Sequence, residues 1–314
     1  MNRAIKTLLG VALAVGFATG AVAQTTLRIA GNFAADHSSS KAMEVFKTEL
    51  KKLSGGSLDV DLFPSMQLGG AKENVDAVRA GTIFGTWVGT AFVSRLVPEV
   101  EAVSLPFLFE NRDIAFRVID GPVGDLYEQK LGVKGFTGPA WMELGARQTT
   151  NSQRPIKKIE DFKGLKIRMQ PNETHLATFR ALGANPIAMD VKELYSALQQ
   201  GVVDGQENPY PIIQANRYFE VQKYVSNTSH FFDFIVIVAN KRQFEALKPE
   251  QKKAVTDAMK AAVDAQRKMA AEADAAALDQ DLDEVGIAAI LRDAAHVVEE
   301  LRLGVGSEVG DRHV

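Results

Sequence analysis

The chain has no cysteine among its 314 residues, only two tryptophans and only five histidines. Without cysteine there is no disulfide, no thiol nucleophile and no attachment site for the lipid that a bacterial lipoprotein carries directly after its signal. The histidines (His37, His175, His230, His296 and His313) are scattered, and no pair has the spacing of a metal-binding helix. Each therefore reads as a structural or surface residue. No Gly-x-Ser-x-Gly elbow occurs. The run "DQDLDE" at 279–284 begins like a calcium loop, but Glu284 stands where the turn needs glycine and Ile290 where a bidentate glutamate belongs. The glycines of "GVGSEVG" lack the preceding strand and the spacing of a dinucleotide site. No cofactor and no metal is expected, and the enzyme reading is weak.

Long apolar runs are also scarce. The clearest lies at the N-terminus, where Arg3 and Lys6 precede the apolar stretch Leu8 to Phe17 and "AVA" stands at 21–23. It is too short for a membrane span of roughly 20 residues. It reads as a secretory signal, 1–23, cut after Ala23. The cut leaves 314 − 23 = 291 residues with 36 − 2 = 34 Lys and Arg against 39 Asp and Glu, a formal charge of −5. Such a mildly acidic chain is a poor partner for nucleic acid or an anionic membrane surface. Its length suffices for a hydrophobic core without disulfides, in two domains. An exported, unanchored, disulfide-free protein points to the periplasm of a double-membraned bacterium, and a monomer is expected.

What the sequence does contain is a repeated strand–helix pattern. A short strand, Leu27 to Gly31, leads through "NFAADHSS" into a helix from Ser38 to Leu53, with Ala42, Phe46, Leu50 and Leu53 at helical spacing. "SLDVDLF" alternates as a strand, a helix covers Ala71 to Ala80, and an apolar strand lies near Thr82 to Val88. Further strands are expected at Lys134 to Thr137, Leu165 to Met169, Lys223 to Thr228 and Phe234 to Ala239. Asn172 and Asp190 are candidate helix caps, and Pro249 opens a breaker-free helix that reaches about Val285. Alternating elements of this kind predict an α/β layer architecture with mainly parallel pairing.

Binding features stand out against this frame. In "GLKIRM", Leu165, Ile167 and Met169 share one face of a strand and Arg168 the other. A guanidinium held on a rigid strand is a planar fork for a carboxylate if that face meets a cleft. Arg147 and Arg154 flank the same region, and "GVVDGQENPYP" reads as a polar loop after a helix stop.

Together these segments resemble the solute-binding subunits of tripartite ATP-independent periplasmic (TRAP) transporters. The pieces that carry the resemblance include "GNFAADHSSSKAMEVFKTEL", "VDLFPSMQLGG", "RQTTNSQRPIKKIEDFKGLKIRM" and "ELYSALQQGVVDGQENP", in the family's order. The resemblance implies an α/β, two-domain periplasmic binding protein fold with an interdomain ligand cleft and a long helix spanning both domains. The domains would be 24–145 plus 234–273 and 146–233 plus 274–314. It also implies capture of a small organic acid, a C4-dicarboxylate or a sugar acid, and delivery to TRAP membrane permease subunits.

By resemblance Arg168 pairs bidentately with the substrate carboxylate and Arg147 is a second anion contact. Asn208 and Asn32 supply hydrogen bonds, and Trp141, close before Arg147, is a candidate pocket wall. Three departures from the family pattern accompany this. Phe84 stands where an acid is usual, Gly89 stands where sialic-acid members carry a glutamate, and the tail 287–314 lacks aromatic residues. The alternatives are an exported carboxylate sensor that reports to a signalling partner and an exported enzyme on a similar frame.

Overall fold

The computed structural model describes residues 24–279. The expected signal at 1–23, His296, His313, the C-terminal glycines and tail, and all but the first residue of the acid-rich run lie outside the described residues. The first half runs β1 (Thr25–Gly31), α1 (Ser38–Leu53), β2 (Leu58–Phe63), α2 (Ala71–Ala80) and β3 (Gly85–Gly89). Then come the short α3 (Ala91–Ser94), a 3-10 turn at Pro98–Ser104, α4 (Arg112–Ile119), α5 (Pro122–Val133) and β4 (Phe136–Ala146). The second half comprises β5 (Gln148–Asn151), β6 (Lys166–Met169), α6 (Glu173–Ala181), β7 (Asn185–Ala188), α7 (Val191–Gln199) and β8 (Gly205–Asn208). It closes with α8 (Tyr210–Ala215), β9 (Tyr224–Ser226), β10 (Phe232–Asn240), α9 (Lys241–Glu245) and α10 (Pro249–Asp279).

Local chemistry sets many of these boundaries. The His37 ring nitrogen accepts the Ser39 N–H at 3.1 Å at the start of α1. Asn172 accepts the His175 N–H at 2.9 Å and Asp190 the Lys192 N–H at 3.1 Å, so both expected caps form. At α2 the Glu73 carboxylate reaches back to the Gly70 N–H at 2.7 Å, and Gly81 ends the helix at φ 81°.

The strands form two five-stranded sheets, ordered β2-β1-β3-β10-β4 and β7-β6-β8-β5-β9. Pairing is less uniformly parallel than the sequence predicts. β1 runs parallel to β2 and β3, and β6 parallel to β7 and β8. Every pairing that involves β4, β5, β9 or β10 is antiparallel. These four strands flank the two places where the chain crosses from one sheet to the other, β4 to β5 and β9 to β10.

One apolar core fills the face of the first sheet under α1 and α10 and continues to Leu194, Ile212 and Tyr218 beside the second sheet. A second core packs α2, α4 and α5 on the opposite face, and a third holds Ile167, Met169 and Phe179 under β6 and α6. The 31 residues of α10 span about 46 Å at 1.5 Å rise. The helix packs on α1 and β4 and also on α8, which follows a strand of the second sheet. Its buried Gln266 donates to the Glu143 carbonyl at 2.8 Å and accepts the Glu143 N–H at 2.9 Å, fastening the helix to β4.

Candidate functional site

The carboxyl ends of β1 and β3 in one sheet face those of β6 and β8 in the other. Ligands in open α/β sheets bind outside such strand ends. A narrow cavity lies there, lined from the first half by Asn32, Phe33, Gly89 and Phe92, and from the second by Arg168, Gln170, Asn208 and Asn216.

Arg168 is fully buried on β6. Its Nε–H donates to the Met189 carbonyl at 2.9 Å, which fixes the plane of the guanidinium. Its Nη1 and Nη2 find no hydrogen-bond acceptor in the protein. Burial pulls its pKa below the ordinary arginine value, with Tyr218 and Glu207 opposing. The result is an oriented, charged, two-pronged donor on a cavity wall. An unpartnered buried charge is costly to hold, so this arrangement suits an anionic guest.

Asn32, just past β1, accepts from Asn74 Nδ2 at 3.5 Å, and its own Nδ2 has no partner in the protein. Asn208 is the last residue of β8. It donates to Gln206 Oε1 at 2.5 Å and accepts from Arg147 Nη2 at 3.1 Å. The polar loop expected at "DGQEN" is thus corrected to a strand. Gly205 to Asn208 pair with β5, and all four residues are buried.

Arg147 is also fully buried but does not line the cavity. It stands behind Asn208, with Nε and Nη2 engaged within the protein and Nη1 without a hydrogen-bond partner. Nε and Nη2 grip the Glu207 carboxylate, Nη2 to Oε1 at 2.8 Å, and Nη2 also reaches the Glu207 carbonyl at 2.7 Å. Nη1 lies 3.3 Å from Asp233 Oδ2. Burial opposes the charge on Glu207, but Arg147 overrides it and holds the carboxyl far below the usual glutamate range. Asp233 is shifted down as well, burial again opposing, with His175 and Arg147 as the favourable neighbours.

Two of the histidines that look scattered in sequence, His175 and His230, meet in this network. His175 Nε2 stands 3.6 Å from Asp233 and His230 Nε2 3.3 Å from Glu207, and burial pushes His230 below its ordinary value. Gln170 joins the network to the cavity: it lines the wall and donates to Asp233 Oδ2 at 3.0 Å. Sequence reasoning missed Gln170, although it lies two residues beyond Arg168 on the same run and could have been found by extending the alternation.

Trp141 does not wall this cavity. It packs in the second core against Tyr127, ring centroids 5.8 Å apart, because β4 turns that side chain away from the second sheet. It borders a larger groove between α10 and the first sheet, together with Phe84, Trp87 and Met259. That groove is mainly apolar, and its Arg267 is held by Asp120 at 2.6 and 2.7 Å, so it presents a neutralised rim to any anion. Arg154 is structural as well, bonding the Asp161 and Lys163 carbonyls. Among the described residues, no group of three or more acids and histidines is placed to hold a metal ion.

The model of the bacterial extracellular solute-binding protein family 7 matches residues 29–293. The chain belongs to this family. A relative, the 2,3-diketo-L-gulonate-binding periplasmic protein YiaO of Escherichia coli, is 35% identical over 270 residues, 86% of this chain and 82% of the relative. A TRAP periplasmic solute-binding protein of Polaromonas sp. JS666, solved bound to D-erythronate, superposes with a TM-score of 0.86 at 33% identity, covering 92% of this chain and 94% of that one. Another, of Sulfurospirillum deleyianum with bound succinate, gives 0.84 at 28% identity, covering 91% and 94%. The two-sheet architecture found here is that of two-domain TRAP binding proteins. As a family 7 member the chain is a TRAP solute-binding protein, and its solved neighbours include ones with a sugar acid and a dicarboxylate bound.

Proposed function

We propose that this chain is exported to the periplasm through a signal at 1–23, captures a small organic acid between its two sheets and delivers it to TRAP permease subunits, acting as a monomer. The observation that carries the reading is the buried Arg168 fork, oriented by Met189 and otherwise unpartnered, on the wall of a cavity with amide walls. Arg168 anchors the carboxylate; Asn32 and Asn208 contribute hydrogen bonds.

Two units, 24–145 plus 234–273 and 146–233 plus 274–314, close over the ligand about the strands that cross between the sheets. Contacts around the cavity support closure. The Glu101 carboxylate takes the N–H groups of Glu173 and Thr174 at 3.2 and 3.0 Å, and Lys192 lies 3.9 Å from Glu73. A further feature supports binding over catalysis: among the described lining residues there is no hydroxyl, thiol, imidazole or carboxylate to act as nucleophile or general base.

The test is a thermal-shift screen over aldonates, uronates and dicarboxylates, with recovery of each compound afterwards. Saturating ligand at about 100 times Kd stabilises by roughly 2.7 kcal/mol. The expected result is a raised Tm with at least one acid, recovered chemically unchanged. A flat screen contradicts capture of an organic acid, and consumption of the acid contradicts the non-catalytic reading.

A further inference from the structure

We infer that the cavity selects acids with a single carboxylate and a neutral hydroxylated tail, and rejects the corresponding diacids. This rests on the carboxylate reading above and sharpens it. The argument is a count of charges along the cavity. Among its described lining residues Arg168 is the only cation. The remaining polar walls, Asn32, Gln170, Asn208 and Asn216, are neutral amides that both donate and accept, as a row of hydroxyls requires. Phe33, Phe92, Leu144 and Ile212 supply the rest of the wall.

The nearby second arginine does not change the count. Arg147 is shared between the Glu207 and Asp233 carboxylates, so its surroundings present no net positive charge. A second carboxylate on a ligand anchored at Arg168 would therefore lie in a closed cavity against amides and rings, with no cation beside it that fixed acids do not already balance. Charge buried without a partner is strongly disfavoured, whereas a hydroxyl in the same place finds amide donors and acceptors.

Gly89 narrows the choice further. A Cβ at this position would come within 2.7 Å of Gln170 Oε1, so the two halves approach here on the absence of a side chain. A group added at Gly89 would have to displace the Gln170 amide from the cavity wall.

Matched pairs of ligands test the inference with the unaltered protein. D-erythronate and meso-tartrate differ only in whether C4 is a hydroxymethyl or a carboxylate, and D-galactonate and galactarate differ in the same way at C6. Calorimetric titration with each, and with succinate and butyrate, gives the comparison. The expected result is that at least one hydroxylated monoacid binds, and does so roughly tenfold or more tightly than its diacid partner and than succinate or butyrate. Equal or tighter binding of the diacid or of succinate overturns the single-carboxylate inference and leaves the carboxylate site standing. Tight binding of butyrate shows that the amides do not read hydroxyls and overturns the tail assignment. Failure of every acid to bind a protein that melts normally overturns the carboxylate site itself, and this inference with it.

Discussion

Two buried arginines stand in the same half of this molecule under opposite conditions. Arg147 is balanced in charge, with a carboxylate gripped by two of its nitrogens and a second carboxylate 3.3 Å from the third, Nη1, which makes no hydrogen bond. Arg168 keeps one hydrogen bond, to Met189, and leaves two nitrogens without an acceptor in the protein. Burial acts on both. Neighbouring acids reverse its effect at Arg147, whose pKa is raised, and fail to reverse it at Arg168, whose pKa is lowered. A guanidinium balanced by fixed acids stabilises the fold, and one left unbalanced waits for a mobile acid. The same residue type thus serves structure in one place and recognition in the other.

The strongest way to break this comparison is to remove Arg147. Arg147→Met would leave Glu207 and Asp233 buried without their cation, and breaking a buried pair costs about 3–5 kcal/mol. A calorimetric melt in the absence of ligand should show Tm lowered by roughly 10 °C. An unchanged Tm would remove the structural role.

A smaller contrast pits Glu207 against Glu143. Glu143 is buried on β4 with Arg112 at 3.5 Å and Asp274 and Arg267 of α10 nearby, and neither of its oxygens has a hydrogen-bond partner in the protein. Burial, reinforced by Asp274 and only partly offset by Arg112, raises its carboxyl from 4.5 to about 7. Between those values the folded protein holds more protons than the unfolded chain, so this group's contribution to stability falls as pH rises. His37, pushed down to about 4 by burial, acts with the opposite sign in part of that window. The difference between variant and wild type therefore removes the His37 contribution and reports Glu143 together with the Asp274 carboxyl it faces. Glu143→Gln should match wild type near pH 4.5 and melt roughly 2–4 °C higher at pH 7.5. A difference that is constant across pH would show that Glu143 does not titrate in this range. For Glu207 the sign reverses: its stabilisation is present above the usual glutamate range and is lost as pH falls through its depressed value.

The mildest perturbation is Asn208→Ala, which removes a neutral hydrogen-bonding group that touches both the cavity and Arg147. A loss of about 0.5–1.5 kcal/mol, roughly two- to tenfold in Kd, is expected with a chemically identified ligand. Titration with no loss would move Asn208 out of the site.

The sequence discloses features governed by neighbouring residues. The caps at Asn172 and Asp190, the spacing of Ala42, Phe46 and Leu50, and the alternation around Arg168 are all local signals, and each has its counterpart in the structure. β5 and β8 were illegible for a physical reason. "QTTN" and "GQEN" are wholly buried yet carry no hydrophobic pattern, because their side chains satisfy one another. Gln206 donates to Thr150 at 2.9 Å, and Thr149 meets Thr228 at 3.1 Å. The network of Arg147, Glu207, Asp233, His175 and His230 was equally hidden, since its members come from distant segments brought together by the two crossings between sheets. Trp141 misled because closeness in sequence to Arg147 says nothing about which face of β4 a side chain takes.

The central claim is that Arg168 is kept unbalanced for a ligand. The direct measurement is a pair of readings on Arg168→Met: the ligand-free melt, and a titration with whichever acid the wild-type protein binds. Replacing an unpartnered buried charge by an apolar side chain of similar length is neutral or stabilising for the fold. Losing the partner of a buried carboxylate costs about 2–5 kcal/mol, on the order of 30- to 3000-fold in affinity. The account predicts a Tm at or above wild type together with that loss of binding. A lowered Tm with affinity unchanged would contradict it, and would make Arg168 the structural arginine of the two.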